Sequence, residues 1–378
     1  MELSYIPRIL EDRLRTRLNE KPAKVQVVLG PRQVGKTTLI RKVLEGHSFM
    51  YWDADDRATR EVLNAVEYER FRVLLDGVDL VFLDEAQRVD QLGLALKMLA
   101  DRFPQVRVLV SGSSALEINQ RMGEFLTGRK RVELLLGISW LEWCRAAGVL
   151  AAESSLEDRL VYGMYPEVLV YPGQAEEQLN ELASGALYHD LLALTGIRRA
   201  DQLERLVRAL ALQVGSEVNY NELSRLLGID KGTVARYLDL LEKTFVVFTV
   251  PSYSKNERKE LKNSRKVYFF DNGIRNAVLG NFLPLEQRAD VGALWENFLF
   301  SERRKALHYA GKTVKQFFWR TTDQQEVDYL ELQDGDLAAF EFKWRPGKAV
   351  KTPPQFEKNY NKAVERIDRT NYDQFLTV

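Results

Sequence analysis

The sequence predicts an α/β protein: a buried parallel sheet in the first third, a largely helical middle, and a second, smaller α/β region at the C-terminus. Three observations predict it. Residues 25–29 (VQVVL), 80–83 (LVFL) and 106–110 (VRVLV) are short, nearly continuous apolar runs, as expected of strands covered on both faces. Each run ends in glycine, acids or small hydroxyl residues, where a helical pattern takes over. Near the C-terminus, residues 314–319, 325–330 and 337–344 read as three consecutive strands behind one amphipathic helix.

Composition bounds the possibilities. At roughly 100–200 residues per domain, a chain of 378 residues with 45% hydrophobic content predicts two or three domains with sizeable cores. Lys plus Arg and Asp plus Glu are both 54, so the formal net charge is zero. That excludes a protein that holds polyanions by uniform positive charge, but leaves room for a local basic patch. Cys144 is the only cysteine, which rules out an intramolecular disulfide. The opening MELSYIPRILEDRL carries charge too early for a signal peptide, and no apolar run approaches the ~18 residues of a membrane span. The expectation is a soluble, cytoplasmic protein with no membrane partner.

The first run leads into Gly30-Pro31-Arg32-Gln33-Val34-Gly35-Lys36-Thr37, then Thr38 and a helical stretch. This is G-x-x-x-x-G-K-T between a strand and a helix, the context in which such a loop cradles phosphates. Glycines let the backbone wrap close to phosphate oxygens, and loop N–H groups point at them. Lys36 would reach the β- and γ-phosphates, and the Thr37 hydroxyl would sit on Mg²⁺. The second run ends in Asp84-Glu85. Asp84 would hold Mg²⁺ through water, and Glu85 would polarise the attacking water. The third run ends in Ser111-Gly112-Ser113-Ser114. Ser113, with Ser111 in reserve, is the candidate contact to the γ-phosphate or the water; a plain helix N-cap, for which Ser114 is also suited, is the competing reading. Residues 131–136 read as a further strand behind Gly128-Arg129. Arg129 could act as an arginine finger on a neighbouring subunit's nucleotide, with Arg121 as its competitor.

Together these segments resemble the AAA-type P-loop ATPases of prokaryotes, and more narrowly a poorly characterised bacterial and archaeal group with a nuclease-like C-terminal domain. The ATPase motifs cover roughly residues 20–140. The group usually carries Gly-Gly-Tyr-Pro in mid-chain, where this sequence has Gly163-Met164-Tyr165-Pro166. The resemblance implies ATP and Mg²⁺ as cofactors and a homo-oligomer, commonly a hexameric ring.

Residues 141–200 read as a helical lid or connector. Three helices are expected at 201–214, 221–228 and 230–241, then a strand at 245–250. This order resembles a winged helix-turn-helix, in which Lys231, Thr233, Arg236 and Tyr237 would face a major groove. The segment beyond is basic: Lys255, Arg258, Lys259, Lys262, Arg265 and Lys266, with Tyr253 and Tyr268 as stacking candidates. It would track phosphates. A structural winged helix and a solvated loop are the competing readings.

In the last third, Glu296 lies in a helix, Glu326 and Asp328 share one face of a strand, and Glu341 and Lys343 share one face of the next. The pattern resembles the PD-(D/E)XK, restriction-endonuclease-like fold. It implies that Asp328 and Glu341, supported by Glu296, hold Mg²⁺ or Mn²⁺ while Lys343 orients water. The domains expected are therefore 1–140 (ATPase), 141–200 (lid), 201–265 (winged-helix-like module with the basic segment) and 266–378 (nuclease-like). The function expected is ATP hydrolysis coupled to binding or processing of nucleic acid, DNA in preference to RNA. The alternative is an ATP-controlled DNA- or protein-binding switch whose nuclease-like domain does not cleave.

Overall fold

The chain is described here by a computed structural model. It describes residues 5–378 except 114–121, 123–125, 127, 190–199 and 255–263, with only the backbone of 186–189 and 200. The chain forms two compact units, Tyr5–Gly137 with Lys243–Phe245, and Ile138–Glu242 with Val246–Val378.

In the N-terminal unit, helix α1 (Leu10–Leu18) precedes β1 (Val25–Leu29), α2 (Lys36–Val43), β2 (Met50–Asp53), α3 (Arg57–Ala65), α4 (Tyr68–Leu74), β3 (Leu80–Asp84), α5 (Leu92–Arg102), β4 (Arg107–Gly112) and β5 (Lys130–Leu134). The sheet order is β2-β3-β4-β1-β5, and every pairing is parallel. β1 and β3 are buried along their whole length, which is why they read as unbroken apolar runs. Their core includes Val27, Leu83, Val110, Leu96 and Phe71. Parallel registry brings the C-terminal ends of β3, β4 and β1 to one edge, where Asp84, Ser113 and Gly30 follow one another across the sheet.

The C-terminal unit begins with short helices: α6 (Trp140–Ala147), α7 (Val149–Ser154), α8 (Leu156–Tyr162), α9 (Pro166–Val170) and α10 (Ala175–Glu181). Ser139 and Glu142 form a reciprocal capping box on α6. Three helices follow, α11 (Ala200–Leu212), α12 (Tyr220–Leu227) and α13 (Lys231–Lys243), then an antiparallel hairpin of β6 (Val247–Pro251) and β7 (Arg265–Phe269). The last part is α14 (Asn272–Leu279), the long α15 (Val291–Tyr309), β8 (Lys315–Arg320), β9 (Glu326–Gln333), β10 (Asp336–Phe342), α16 (Pro354–Tyr360), β11 (Glu365–Ile367) and α17 (Tyr372–Leu376). β8, β9 and β10 form an antiparallel meander, and β11 pairs parallel with β10. The hairpin joins this sheet where Tyr253 N–H donates to the Phe318 carbonyl at 2.7 Å. Among the described residues no helix is long and apolar enough to cross a membrane.

The Gly163–Pro166 run has a structural job in this unit. Gly163 has φ +71°, and a Cβ there would collide with the Asp271 carboxylate. That carboxylate caps α14 through Gly273 N–H at 2.8 Å and accepts from Met164 N–H at 2.7 Å. Burial raises the Asp271 pKa.

Two expectations fail here. Tyr237 is 4% exposed and packs inward with Val234, Leu238 and Leu241, so it cannot face a groove from α13. Lys266 and Tyr268, counted with the basic segment, are also buried, at 3% and 0% exposure. They are consecutive same-face residues of β7 turned toward α15. Tyr253 is likewise engaged, against Phe317 and Tyr360. Arg236 is exposed as expected. Lys255, Arg258, Lys259, Lys262, Ser114 and Arg121 lie outside the described residues.

Candidate nucleotide site and C-terminal acid cluster

The loop between β1 and α2 is shaped by close backbone packing. A Cβ at Gly30 would collide with the Leu135 carbonyl, so only glycine fits. Gln33 (φ +58°) and Gly35 (φ +88°) sit in the left-handed region, bending the loop so that α2 starts at Lys36. Pro31 and Val34 are buried; Arg32 is half-buried; Gln33 and Thr38 are exposed. The first-turn N–H groups of α2 have no side-chain cap at Gly35, leaving a helix N-terminus of the kind that binds phosphate. Lys36 Nζ reaches back across the loop to the carbonyls of Gly30 (3.1 Å) and Pro31 (2.7 Å).

Asp84, at the end of β3, is the hub. It accepts from Thr37 Oγ1 at 2.8 Å, from the Tyr51 hydroxyl at 3.1 Å and from the Ser111 hydroxyl. Thr37 and Asp84 are thus adjacent hard oxygen donors, a pair that fits Mg²⁺. Burial, and then the Asp84 carboxylate, push the Tyr51 phenol up to about 12. Glu85 follows in a left-handed conformation (φ +50°), with its N–H on Ser111 Oγ at 3.2 Å. Its carboxylate accepts from Gln87 Nε2, which also reaches Ser113 Oγ at 3.0 Å. Ser111, the reserve candidate, therefore fixes Asp84, while Ser113 stands beside Glu85 through Gln87. Arg129 is half-exposed and paired with Asp101 at 3.2 Å.

Sequence reasoning missed three residues. Tyr51 acts on Asp84 of the neighbouring strand, and Gln87, two residues from Glu85, is placed by Ser113 at the end of β4, so neither forms a motif by itself. Arg8 donates to the carbonyls of Val34 (2.9 Å) and Leu136 (2.7 Å), bracing the phosphate loop from behind; its 26- and 128-residue separations hide it from any motif.

In the C-terminal unit, β9 and β10 bring Glu326, Asp328, Glu341 and Lys343 together, and α15 adds Glu296. Lys343 Nζ lies 2.6 Å from Glu341 Oε1 and 4.0 Å from Asp328 Oδ2. Asp328 Oδ2 also accepts the Phe342 N–H at 2.9 Å. Burial, then the Glu296 and Glu341 carboxylates, push the Asp328 pKa up to about 8. Glu296 accepts from the Tyr268 hydroxyl (2.6 Å) and Lys266 Nζ (3.2 Å). Lys266 Nζ also pairs with Glu326 at 2.6 Å. Among the described residues, no three His, Cys, Asp or Glu side chains converge to hold a metal ion. The acids are neighbours, but each is turned toward a lysine, a phenol or a backbone N–H.

The fold and the phosphate-loop site define a P-loop module of the AAA type. The family model described as "AAA domain" matches residues 22–144. Two models described as domains of unknown function match residues 153–284 (DUF8612) and 291–372 (DUF4143). The chain belongs to the same family as uncharacterized protein Rv2008c of Mycobacterium tuberculosis: the two are 31% identical over 342 residues, covering 88% of this chain and 72% of that one. An uncharacterized protein of Haemophilus influenzae is 24% identical, covering 83% of this chain and 80% of its own. Among solved structures, the Walker-type ATPase PABY2304 of Pyrococcus abyssi shares the fold, with TM-score 0.51 and 18% identity over 73% of this chain and 96% of that one.

Proposed function

We propose that this protein is a Mg²⁺-dependent ATPase whose nucleotide state controls nucleic-acid binding by its C-terminal unit. The carrying observation is the convergence of Thr37, Asp84 and Glu85 beside Lys36. The loop N–H groups and Lys36 bind the phosphates and neutralise charge that develops on the γ-phosphoryl oxygens. Thr37 and Asp84 would hold Mg²⁺, which supplies Lewis-acid polarisation of the phosphates when bound. Glu85 accepts a proton from water as the water oxygen bonds to the γ-phosphorus. The bond from that phosphorus to the β–γ bridging oxygen breaks, giving ADP and phosphate. Gln87 sets the direction in which the Glu85 carboxylate points. Turnover by purified protein, with Lys36→Ala and Glu85→Gln beside it, tests this. Lys36→Ala abolishes hydrolysis and Glu85→Gln retains bound ATP; two variants as active as the parent would sink the assignment.

The nucleic-acid part of the reading is supported by the order α11–α12–α13 and hairpin, with exposed Lys231 and Arg236 on α13. The helix–strand–strand–strand order α15–β8–β9–β10, with Glu296, Asp328, Glu341 and Lys343 on it, supports a nuclease-like ancestry for the last part. Cleavage is not part of the proposed function, because these acids are turned to Lys266, Tyr268, Lys343 and the Phe342 N–H instead of toward one ion. Binding to plasmid and single-stranded DNA, measured against salt and against nucleotide state, tests this part. Binding that ignores ATP would remove the control, and no binding at low salt would remove the partner. A trans role for Arg129 requires an assembly; sedimentation that finds only monomers of a fully active enzyme would exclude it.

A further inference from the structure

Lys266 comes from β7, outside the sheet that carries Asp328 and Glu341, yet its ammonium is buried among the acids. Nζ lies 2.6 Å from Glu326 Oε1 and 3.2 Å from Glu296 Oε1, with the side chain 4% exposed. It also stands 5.3 Å from the Phe318 ring centroid, within cation–π range. Tyr268, the next residue on the same face of β7, donates to the same Glu296 oxygen at 2.6 Å. The other charges facing this cluster are Lys343, on Glu341 and Asp328, and Arg320, whose Nε is 3.7 Å from Glu326 Oε2. Lys343 and Arg320 are 46% and 33% exposed and can swing into water. Lys266 cannot, because an ammonium held this far from solvent keeps its partners or stands uncompensated.

A divalent ion needs carboxylate oxygens turned to it at about 2.0–2.6 Å, with no competing cation in their midst. Here one oxygen of Glu296 and one of Glu326 are turned to Lys266. The ammonium supplies positive charge where the ion would, and it is held there by β7 instead of being drawn from solution. We propose that Lys266 is the resident cation of this acid cluster, so that the cluster takes up Mn²⁺ or Mg²⁺ only when that ammonium is removed from Glu296 and Glu326. The inference rests on reading Glu296, Asp328 and Glu341 as one acid set, and is independent of ATP hydrolysis.

The test is a Mn²⁺ titration of the full chain without nucleotide, followed by the paramagnetic resonance of free Mn²⁺. Only binding that Asp328→Asn removes is counted. The wild-type protein should show no such site in the micromolar range. Lys266→Met should gain one, at least about tenfold tighter than any in the wild type, because a unit charge a few ångströms from the ion has gone. Lys266→Arg, which keeps the charge, should behave as the wild type. Lys266→Gln, which fills the space and still donates a hydrogen bond, serves if Lys266→Met does not fold. Wild-type protein that binds one Mn²⁺ at micromolar concentration through Asp328 overturns the proposal, as does a folded Lys266→Met or Lys266→Gln that binds no more than wild type. If neither folds, the wild-type titration decides: a micromolar, Asp328-dependent site overturns the proposal and its absence sustains it. A gain that survives Asp328→Asn would show that the acid set is not the ligand, and the proposal would fall with it. ATP turnover of the same proteins is read separately and stands or falls with Lys36 and Glu85.

Discussion

The side-chain amide of Gln87 touches both the Glu85 carboxylate and, at 3.0 Å, the Ser113 hydroxyl. Gln87 is 5% exposed, so the contact is fixed by packing. It holds the Glu85 carboxylate beside Ser113. Gln87→Ala should therefore lower kcat by roughly ten- to a hundredfold, the usual cost of misplacing a catalytic group by an ångström, with KM for ATP little changed. A rise in KM without loss of kcat would mean that Gln87 serves binding. Steady-state phosphate release measures both.

Gly163 and Gly173 separate steric need from mere presence of glycine. At Gly163 the backbone is left-handed and a Cβ would strike Asp271, whereas at Gly173 nothing lies within 4 Å of the added atom. Gly163→Ala should cost about 2–4 kcal/mol, combining backbone strain with loss of a buried hydrogen bond. Gly173→Ala should leave the unfolding midpoint nearly unchanged. Chemical denaturation read by tryptophan fluorescence checks the pair.

Asp328 gives a pH prediction with a definite sign. Its pKa in the folded chain, about 8, lies above the ordinary value of 3.8. Between these values the unfolded chain releases the proton and the folded chain keeps it, so stability contributed at this site falls as pH rises, then levels off above about 8. Asp328→Asn keeps an acceptor for Phe342 N–H and cannot ionise. Its melting temperature relative to wild type should climb from pH 4 to pH 8 by on the order of a few degrees. A constant or narrowing difference across that range would refute it.

What was legible in the sequence was chemistry carried by contiguous residues. The phosphate loop declares itself because strand, glycine loop and helix follow one another without a break. The same holds for β3 with Asp84 and Glu85. Residues whose role depends on another strand were silent: Arg8, Tyr51 and Gln87 are ordinary polar residues until the sheet is assembled. Lys266 was misread for a related reason. In the string it continues a run of cations, and only the docking of β7 on α15 turns it inward. Its alternation with Tyr268, polar and aromatic two apart on a short strand, was the available hint. Tyr237 could have been placed correctly, since Val234, Leu238 and Leu241 mark its side of α13 as the apolar face.

Lys305 and Glu302 offer the sharpest test of how the C-terminal unit is held together. They pair at 2.6 Å on one turn of α15, with side-chain exposures of 1% and 2%. Lys305 also donates to the Ile138 carbonyl at 3.0 Å, and Glu302 accepts the Trp140 N–H at 2.6 Å. Burial raises the Glu302 pKa, and the Lys305 charge opposes that rise. The pair thus anchors the first residues of the unit to its longest helix. Removing one member leaves the other charge buried without its partner, so Lys305→Met should cost about 3–5 kcal/mol. Removing both charges spares that penalty, and Glu302→Gln with Lys305→Met should recover a large part of the loss, since Gln can still accept from Trp140. A double-mutant cycle of denaturation free energies reads the coupling directly. A double variant as unstable as the sum of the two single ones would show that the backbone contacts, and not the ion pair, hold Ile138 and Trp140 to α15.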